Sequence, residues 1–194
     1  MITEIKMVNN ENLQCANYQV NFLKRYSLAA LPSNKLQGIA NLIRNNILAF
    51  DTSETALIGT MKRINNLIDV YIQKGNRLFI INNSRGMPIA CAGLGTFHGL
   101  SLGEQIGEIR DLVVKKKYRN KGLGKQLIHA CIMEAKKIGY KRLYLETSSH
   151  MQAAQNIFKR KGFKPVKERP KNTEKIQPSP CYFILEEIDS ITCT

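Results

Sequence analysis

A chain of 194 residues has room for one ordinary domain with a sizeable core, and its length argues against two full ones. With 43% hydrophobic and 23% charged residues it is neither disordered nor fibrous, and no apolar run approaches the roughly 20 residues of a membrane span. The formal charge of +14 is unevenly placed: residues 1–75 carry 8 positive and 5 negative side chains, residues 76–194 carry 21 and 10. The basic C-terminal part suits a polyanionic partner, either nucleic acid or a ligand with several phosphates.

The opening MITEIKMVNNEN lacks the charged-then-apolar layout of a signal peptide, so a cytoplasmic protein is expected. Cys15, Cys91, Cys131, Cys181 and Cys193 are odd in number and irregularly spaced, which suggests buried thiols rather than a disulfide framework. His98, His129 and His150 form no ligand-like pair, and no metal site is expected.

Taken in chain order, ITEIKMV reads as a first or edge strand, and Asn9 or Asn10 can cap a helix over 11–26. A second helix starts at Pro32-Ser33 with Leu36, Ile39, Ala40, Leu42, Ile43 and Ile47 on one stripe. A third follows a cap at Thr52 or Ser53, with Leu57, Met61, Ile64, Leu67, Ile68 and Tyr71 as its stripe and Gly75-Asn76 as its stop.

From residue 77 the rhythm is that of strands. RLFIIN, the turn NSRGMP and IACAGLGTF read as an antiparallel hairpin; after the loop HGLSLGEQ, IGEIRDLVV reads as another strand. Strict alternation there puts Glu108 and Arg110 on one face with Leu112 and Val114. An amphipathic helix follows, with Leu127, Ile128, Cys131, Ile132 and Ala135 inward and Gly139 at its end. KRLYLETSS is a strand, HMQAAQNIFKRKG a shorter helix closed by Gly162, and CYFILEEI a last strand after the polar loop KERPKNTEKIQPSP.

The chemistry-bearing segment is the turn RNKGLGK between a strand and a helix. Such a turn gathers backbone N–H groups at the positive end of the helix dipole, where phosphate binds. Gly122 and Gly124 permit close approach, and Arg119, Lys121 and Lys125 add charge. The turn is not GxxxxGK[ST], since Arg119 and Gln126 stand at the required glycine and hydroxyl positions, nor GxGxxG, since Leu127 holds the last glycine position. ATP and NAD sites are disfavoured.

In context the run from Glu108 to Phe163 resembles the central motif of GNAT acetyltransferases. RNKGLG matches the Q/R-x-x-G-x-G/A signature at Arg119, Gly122 and Gly124; EIRDLVV resembles the preceding strand, YLETSS the next, and AAQNIFKRKGF the helix that ends in GF. The resemblance implies an α/β (α+β) fold, a mixed and mostly antiparallel twisted sheet flanked by helices. The match covers about 56 residues, with the hairpin at 77–97 and the strand at 181–188 also suiting the fold and residues 1–75 agreeing only in being helical; a single acetyltransferase domain over 1–194 is expected, with a helix-rich acceptor-side segment at 1–75 and a sheet and cofactor core at 77–188. The resemblance also implies acetyl-CoA as co-substrate, with Leu112, Val113 and Val114 pairing with the pantetheine arm. Arg119, Asn120, Lys121, Gly122, Leu123, Gly124 and Lys125 would surround the pyrophosphate, and Ala154 and Phe158 would flank the thioester.

Glu108, eleven positions before Arg119, falls where several family members place a catalytic glutamate, and the bland alternative is an ion pair with Arg110. The family's proton-donating tyrosine, four residues before the glycine of GF, is replaced by Phe158, and Met151 stands where an asparagine often opens that helix. Ser148, Ser149, Tyr182 or water would have to protonate the thiolate. The resulting expectation is an N-acetyltransferase acting on a primary amine of a small molecule or peptide. Glu104, Glu108 and Glu146 would attract a cationic amine if they line one cleft. The alternatives are a catalytically weak acyl-CoA-binding sensor and, less favoured, a nucleic-acid-binding module, which lacks interleaved exposed aromatics. A homodimer is left open.

Overall fold

The computed structural model describes residues 20–23, 33–49, 54–72, 76–97, 105–167 and 180–188. Strand β1 is Val20–Leu23, followed by α1 (Ser33–Leu48), α2 (Glu54–Asn65) and α3 (Leu67–Ile72). The second half runs β2 (Arg77–Asn82), β3 (Pro88–Thr96), β4 (Ile106–Val114), α4 (Leu123–Ile138), β5 (Arg142–Ser148), α5 (Gln152–Arg160), β6 (Lys164–Val166) and β7 (Pro180–Leu185). One seven-stranded sheet in the order β1-β2-β3-β4-β5-β7-β6 carries them. Its neighbours pair antiparallel except β4 and β5, which are parallel. The expected mixed, mostly antiparallel sheet flanked by helices is therefore present.

The sheet has an apolar layer on each face, as its two-sided burial requires. On one, α4 lays Leu123, Leu127, Ile128, Cys131, Ile132 and Ala135 against Phe79, Ala90, Ala92, Leu94, Ile109, Leu143 and Leu145. These helix positions recur at three and four residues, so they share one stripe. On the other, Ile39, Leu42 and Ile43 of α1 and Leu67 and Tyr71 of α3 meet Leu78, Ile80, Cys91 and Val113. Burial pushes the Cys91 and Cys131 thiols well up, so they stay protonated.

Three expectations are corrected. The helix proposed for 11–26 is a strand at Val20–Leu23, where β1 pairs with β2; the remainder of that segment, ITEIKMV, Cys15 and Cys193 lie outside the described residues, as do His98, Glu104 and the caps Thr52 and Ser53. The third helix is broken at Asn66, which turns its stripe: Leu67 and Tyr71 are buried, whereas Leu57 and Met61 are exposed. Asn at this point favours a turn over helix continuation because its side chain competes for backbone groups. A short strand, β6, was not anticipated; it pairs Lys164–Val166 with β7.

The third correction concerns β4. Its register to β3 shifts between Cys91 and Gly93: Cys91 faces Val113 and Gly93 faces Arg110, so two residues, Asp111 and Leu112, oppose Ala92 alone. Asp111 has φ of 51°, and the bulge reverses the alternation. Leu112 and Val114 accordingly pack with the α4 layer, while Glu108, Arg110 and Val113 share the α1/α3 face. The pleat rule failed because it assumes an unbroken ladder.

Two contacts hold the bulge. Tyr71 donates from its hydroxyl to Asp111 Oδ2 at 2.5 Å, and the Cys91 thiol donates to the Asp111 carbonyl at 3.4 Å. Tyr71 reaches Asp111 only because Gly93 has no side chain: a Cβ there would fall into the tyrosine hydroxyl and 2.6 Å from Cε1. Replacing Gly93 by Ala must displace a 2%-exposed ring from a packed layer and should cost about 1–3 kcal/mol. The expected outcome is a lower urea midpoint for Gly93→Ala, and a smaller loss when the same change is made in a Tyr71→Ala background. Additive losses in that double-mutant cycle would show that the two residues do not act together.

Candidate active site

The β4–β5 ladder ends early. It runs from Ile106↔Arg142 to Ile109↔Leu145, so Arg110–Val114 and Glu146–Ser148 are not paired to each other across it. On its far side β5 continues to pair with β7 as far as Ser148↔Pro180. The bulge at Asp111 begins just where the ladder stops, and the two strands part there.

The turn expected to bind phosphate lies beside the split. After Lys116–Tyr118 forms a 3-10 turn, Arg119 is extended, Asn120 has φ of 61° and Gly122 has φ of 76°. Gly122 is the N-cap of α4 and offers no side-chain acceptor. The first helical bond runs from the Gln126 N–H to the Gly122 carbonyl, which leaves the N–H groups of Leu123, Gly124 and Lys125 without an acceptor inside the helix. They sit at the positive end of a 16-residue helix whose last turn carries Lys136 and Lys137, the charge arrangement its dipole favours. Lys115, Lys116, Lys117, Lys121 and Lys125 are all exposed around it.

Gly124 fixes how closely the helix start approaches the split. A Cβ at this position would stand 3.3 Å from Ile157 Cδ1 of α5 and 4.0 Å from Val114 Cγ2 of β4. Val114, Gly124 and Ile157 thus meet, with half-buried Ala154 one turn away on α5. Arg119 does not turn toward the helix start. Its Nε donates to the Val114 carbonyl at 3.0 Å and its Nη2 to Asn46 Oδ1 of α1 at 3.2 Å, so it ties the end of β4 to α1.

On the α1/α3 face, Glu108 is 5% exposed and directly opposite Tyr144 in the β4–β5 register. Its Oε2 makes no hydrogen bond and lies 3.5 Å from Arg110 Nη2, an ion pair without hydrogen-bond geometry. The guanidinium is drawn toward β3, where Nη2 donates to the Thr96 carbonyl at 2.9 Å over the gap left by Gly95. Asn76 completes this corner by accepting from the Thr96 N–H at 3.1 Å and donating to the Val70 carbonyl at 2.5 Å. Phe97 meets Tyr144 edge-on at 4.7 Å, and Tyr182 of β7 stacks on Tyr144 at 6.3 Å.

Phe158 points away from this face. Its ring is 4% exposed and packs 5.9 Å from Phe183 and 6.1 Å from Phe163, within the α4 layer. Of the hydroxyls considered in its place, Ser148 is buried with its Oγ accepting from the His150 N–H at 3.3 Å. Gln155 secures the same corner, its Nε2 donating to the carbonyls of Ser148 and Ser149.

Sequence reasoning missed Asp111, Tyr71, Asn76 and Gly93. The signal for the first was present: Asp is depleted in strands, and here it interrupts an apolar run. Tyr71 lies 40 residues before its partner Asp111 and Asn76 lies 20 before its partner Thr96, pairings that periodicity does not reveal.

Solved structures share this architecture. An acetyltransferase of the GNAT family from Staphylococcus aureus Mu50 superposes with a TM-score of 0.68 at 17% identity, covering 87% of this chain and 99% of its own. A Salmonella typhimurium protein solved with its cofactor acetyl-CoA gives 0.63 at 17% identity, over 92% and 98%. In sequence, the uncharacterized N-acetyltransferase YjgM of Escherichia coli K12 is 26% identical over 103 residues, 53% of this chain and 60% of that protein's length. The split strands, the glycine-capped helix start and the GF-terminated helix all fall inside residues 45–163, which match the acetyltransferase (GNAT) family model; the chain belongs to the GNAT acetyltransferase family.

Proposed function

We propose that the protein is an N-acetyltransferase that moves the acetyl group of acetyl-CoA to a primary amine of a small molecule or peptide. The observation that carries this reading is the start of α4: three N–H groups without a helical acceptor, among exposed lysines, beside the point where β4 and β5 part. An anion with several phosphates satisfies those donors and that charge together.

In this reading the backbone of Asn120, Lys121, Gly122, Leu123, Gly124 and Lys125 holds the pyrophosphate. Lys121 and Lys125 add charge, and Arg119 acts by fixing the end of β4 rather than by direct contact. Leu112, Val113 and Val114, freed from β5 by the split, pair through their backbone with the pantetheine arm, which Ala154 and Ile157 flank. Phe158 supports that wall from the core side.

Glu108 is the general base. Its buried oxygen without a hydrogen bond can take a proton from an incoming ammonium, directly or through a water, leaving a neutral nitrogen able to attack. Acetyl-CoA supplies a thioester whose carbonyl carbon gains the C–N bond and loses the C–S bond, so one proton must reach the departing sulfur. Phe158 cannot provide it; the hydroxyls of Tyr144, Tyr182 and Ser148 are the protein's own candidates, with water as the remaining donor. The position of Phe158 also favours a second reading, an acyl-CoA-binding protein of weak catalysis, which acetyl-CoA binding without turnover would select.

Titration calorimetry should give micromolar binding of acetyl-CoA with ATP much weaker; no binding of acetyl-CoA would overturn the proposal. A leucine at Gly124 grows into the space between Val114 and Ile157, and Gly124→Leu should weaken acetyl-CoA at least about tenfold while the far-ultraviolet circular dichroism is kept. Glu108→Gln retains the shape of the side chain but not its basicity. We expect kcat lower by about 10²-fold at neutral pH with acetyl-CoA affinity unchanged. An unaltered pH–rate profile in that variant would exclude Glu108 as the base.

A further inference from the structure

We infer that Arg119 and Asn46 are positioning residues that couple α1 to the cofactor turn, so that an anion seated on residues 120–125 tightens the end of a helix packed on the sheet face that carries Glu108. This rests on the proposed binding of acetyl-CoA and adds to it a pair of residues that act without touching the reacting atoms.

The open edge of β4 explains where the guanidinium goes. Successive residues of an antiparallel strand turn their backbone polar groups to alternate edges. The Lys115 N–H donates to the Ile89 carbonyl at 2.9 Å, so residue 115 faces β3 and Val114, one residue earlier, presents its carbonyl to the opposite edge. That edge is the one from which β5 has parted, since the β4–β5 ladder stops at Ile109↔Leu145. The Nε of Arg119 donates to the Val114 carbonyl at 3.0 Å and thereby holds the last residue of the parted strand.

The same guanidinium reaches a second element. Its Nη2 donates to Asn46 Oδ1 at 3.2 Å, across 73 residues of sequence. Nε and Nη2 belong to one planar fork, which fixes its two acceptors relative to each other as a single ammonium cannot. Asn46 is half-buried in the last turn of α1, beyond Ile39, Leu42 and Ile43, which anchor that helix to the sheet. The side-chain bonds of Gln37 and Arg44, by contrast, stay within the helix, both ending on Asn41. Arg119 also opens the turn: Asn120 follows it with φ of 61°, and Gly122 caps α4. A phosphate held by the N–H groups of Leu123, Gly124 and Lys125 steadies the backbone that carries the fork and, through Asn46, the end of α1. Linkage makes the effect reciprocal, so the stability that the ligand lends α1 returns as ligand affinity.

Amide hydrogen exchange should be compared with and without saturating acetyl-CoA, whose binding is read separately by calorimetry. In the unaltered protein, exchange at residues 44–48 of α1 is expected to slow about three- to tenfold on binding, the worth of one hydrogen bond. Asn46→Ala should lose that ligand-dependent slowing and weaken acetyl-CoA by a comparable factor, although residue 46 lies outside the turn. Arg119→Lys keeps the charge but not the fork and should behave like Asn46→Ala; Asn46→Asp keeps an acceptor and should retain the slowing. A residue that only stabilised the fold would change exchange equally with and without ligand. Bound acetyl-CoA with no slowing at 44–48, or the full slowing persisting in Asn46→Ala, would overturn the inference and leave cofactor binding standing. Failure to bind acetyl-CoA at all would remove the reading beneath it and the inference with it.

Discussion

The bulge at Asp111 is the constraint on which the site depends. A regular β4 would continue its parallel ladder with β5 and bury both strands along their length, leaving no opening in the sheet. One extra residue turns Leu112 and Val114 to the α4 layer and bends the strand where pairing with β5 ceases. A non-glycine residue at φ of 51° needs compensation. Compensation comes from a hydroxyl on its carboxylate and a thiol on its carbonyl, brought there by α3 and β3. The helical region before the sheet therefore shapes the opening, because Tyr71 is the link between them.

Glu108 and Arg110 show how the same face keeps a charge that burial alone would oppose. A carboxylate 5% exposed is costly unless paired. The pair here is loose, at 3.5 Å, and Arg110 is bound more firmly to the Thr96 carbonyl than to its acid. A bidentate bridge would saturate both carboxylate oxygens; this geometry keeps the Arg110 charge beside Glu108 while its Oε2 makes no hydrogen bond. So loose an ion pair does not conflict with the proposed role of Glu108 as a base.

Much of this was legible in the sequence, and the limits have physical causes. Local signals sufficed for the β4–α4–β5–α5 run: an amphipathic stripe read α4, and glycines at 122 and 139 marked its ends, both now seen at positive φ. The register of β4 was not legible because alternation is a local rule and the bulge is fixed by Tyr71 across 40 residues of sequence. The break at Asn66 escaped because a continuous apolar stripe outweighed a single turn-favouring residue in the reading. Arg119 was legible as part of a motif but not as a tie to Asn46, which no spacing rule pairs with it.

Different groups flank the parted strands: exposed lysines lie around the start of α4, while buried Glu108 stands on β4 where its ladder with β5 is about to end. The opening needs no movement of the sheet, only that the strands stay apart, and the Tyr71–Asp111 contact holds the bulge that bends β4 where its pairing with β5 ceases.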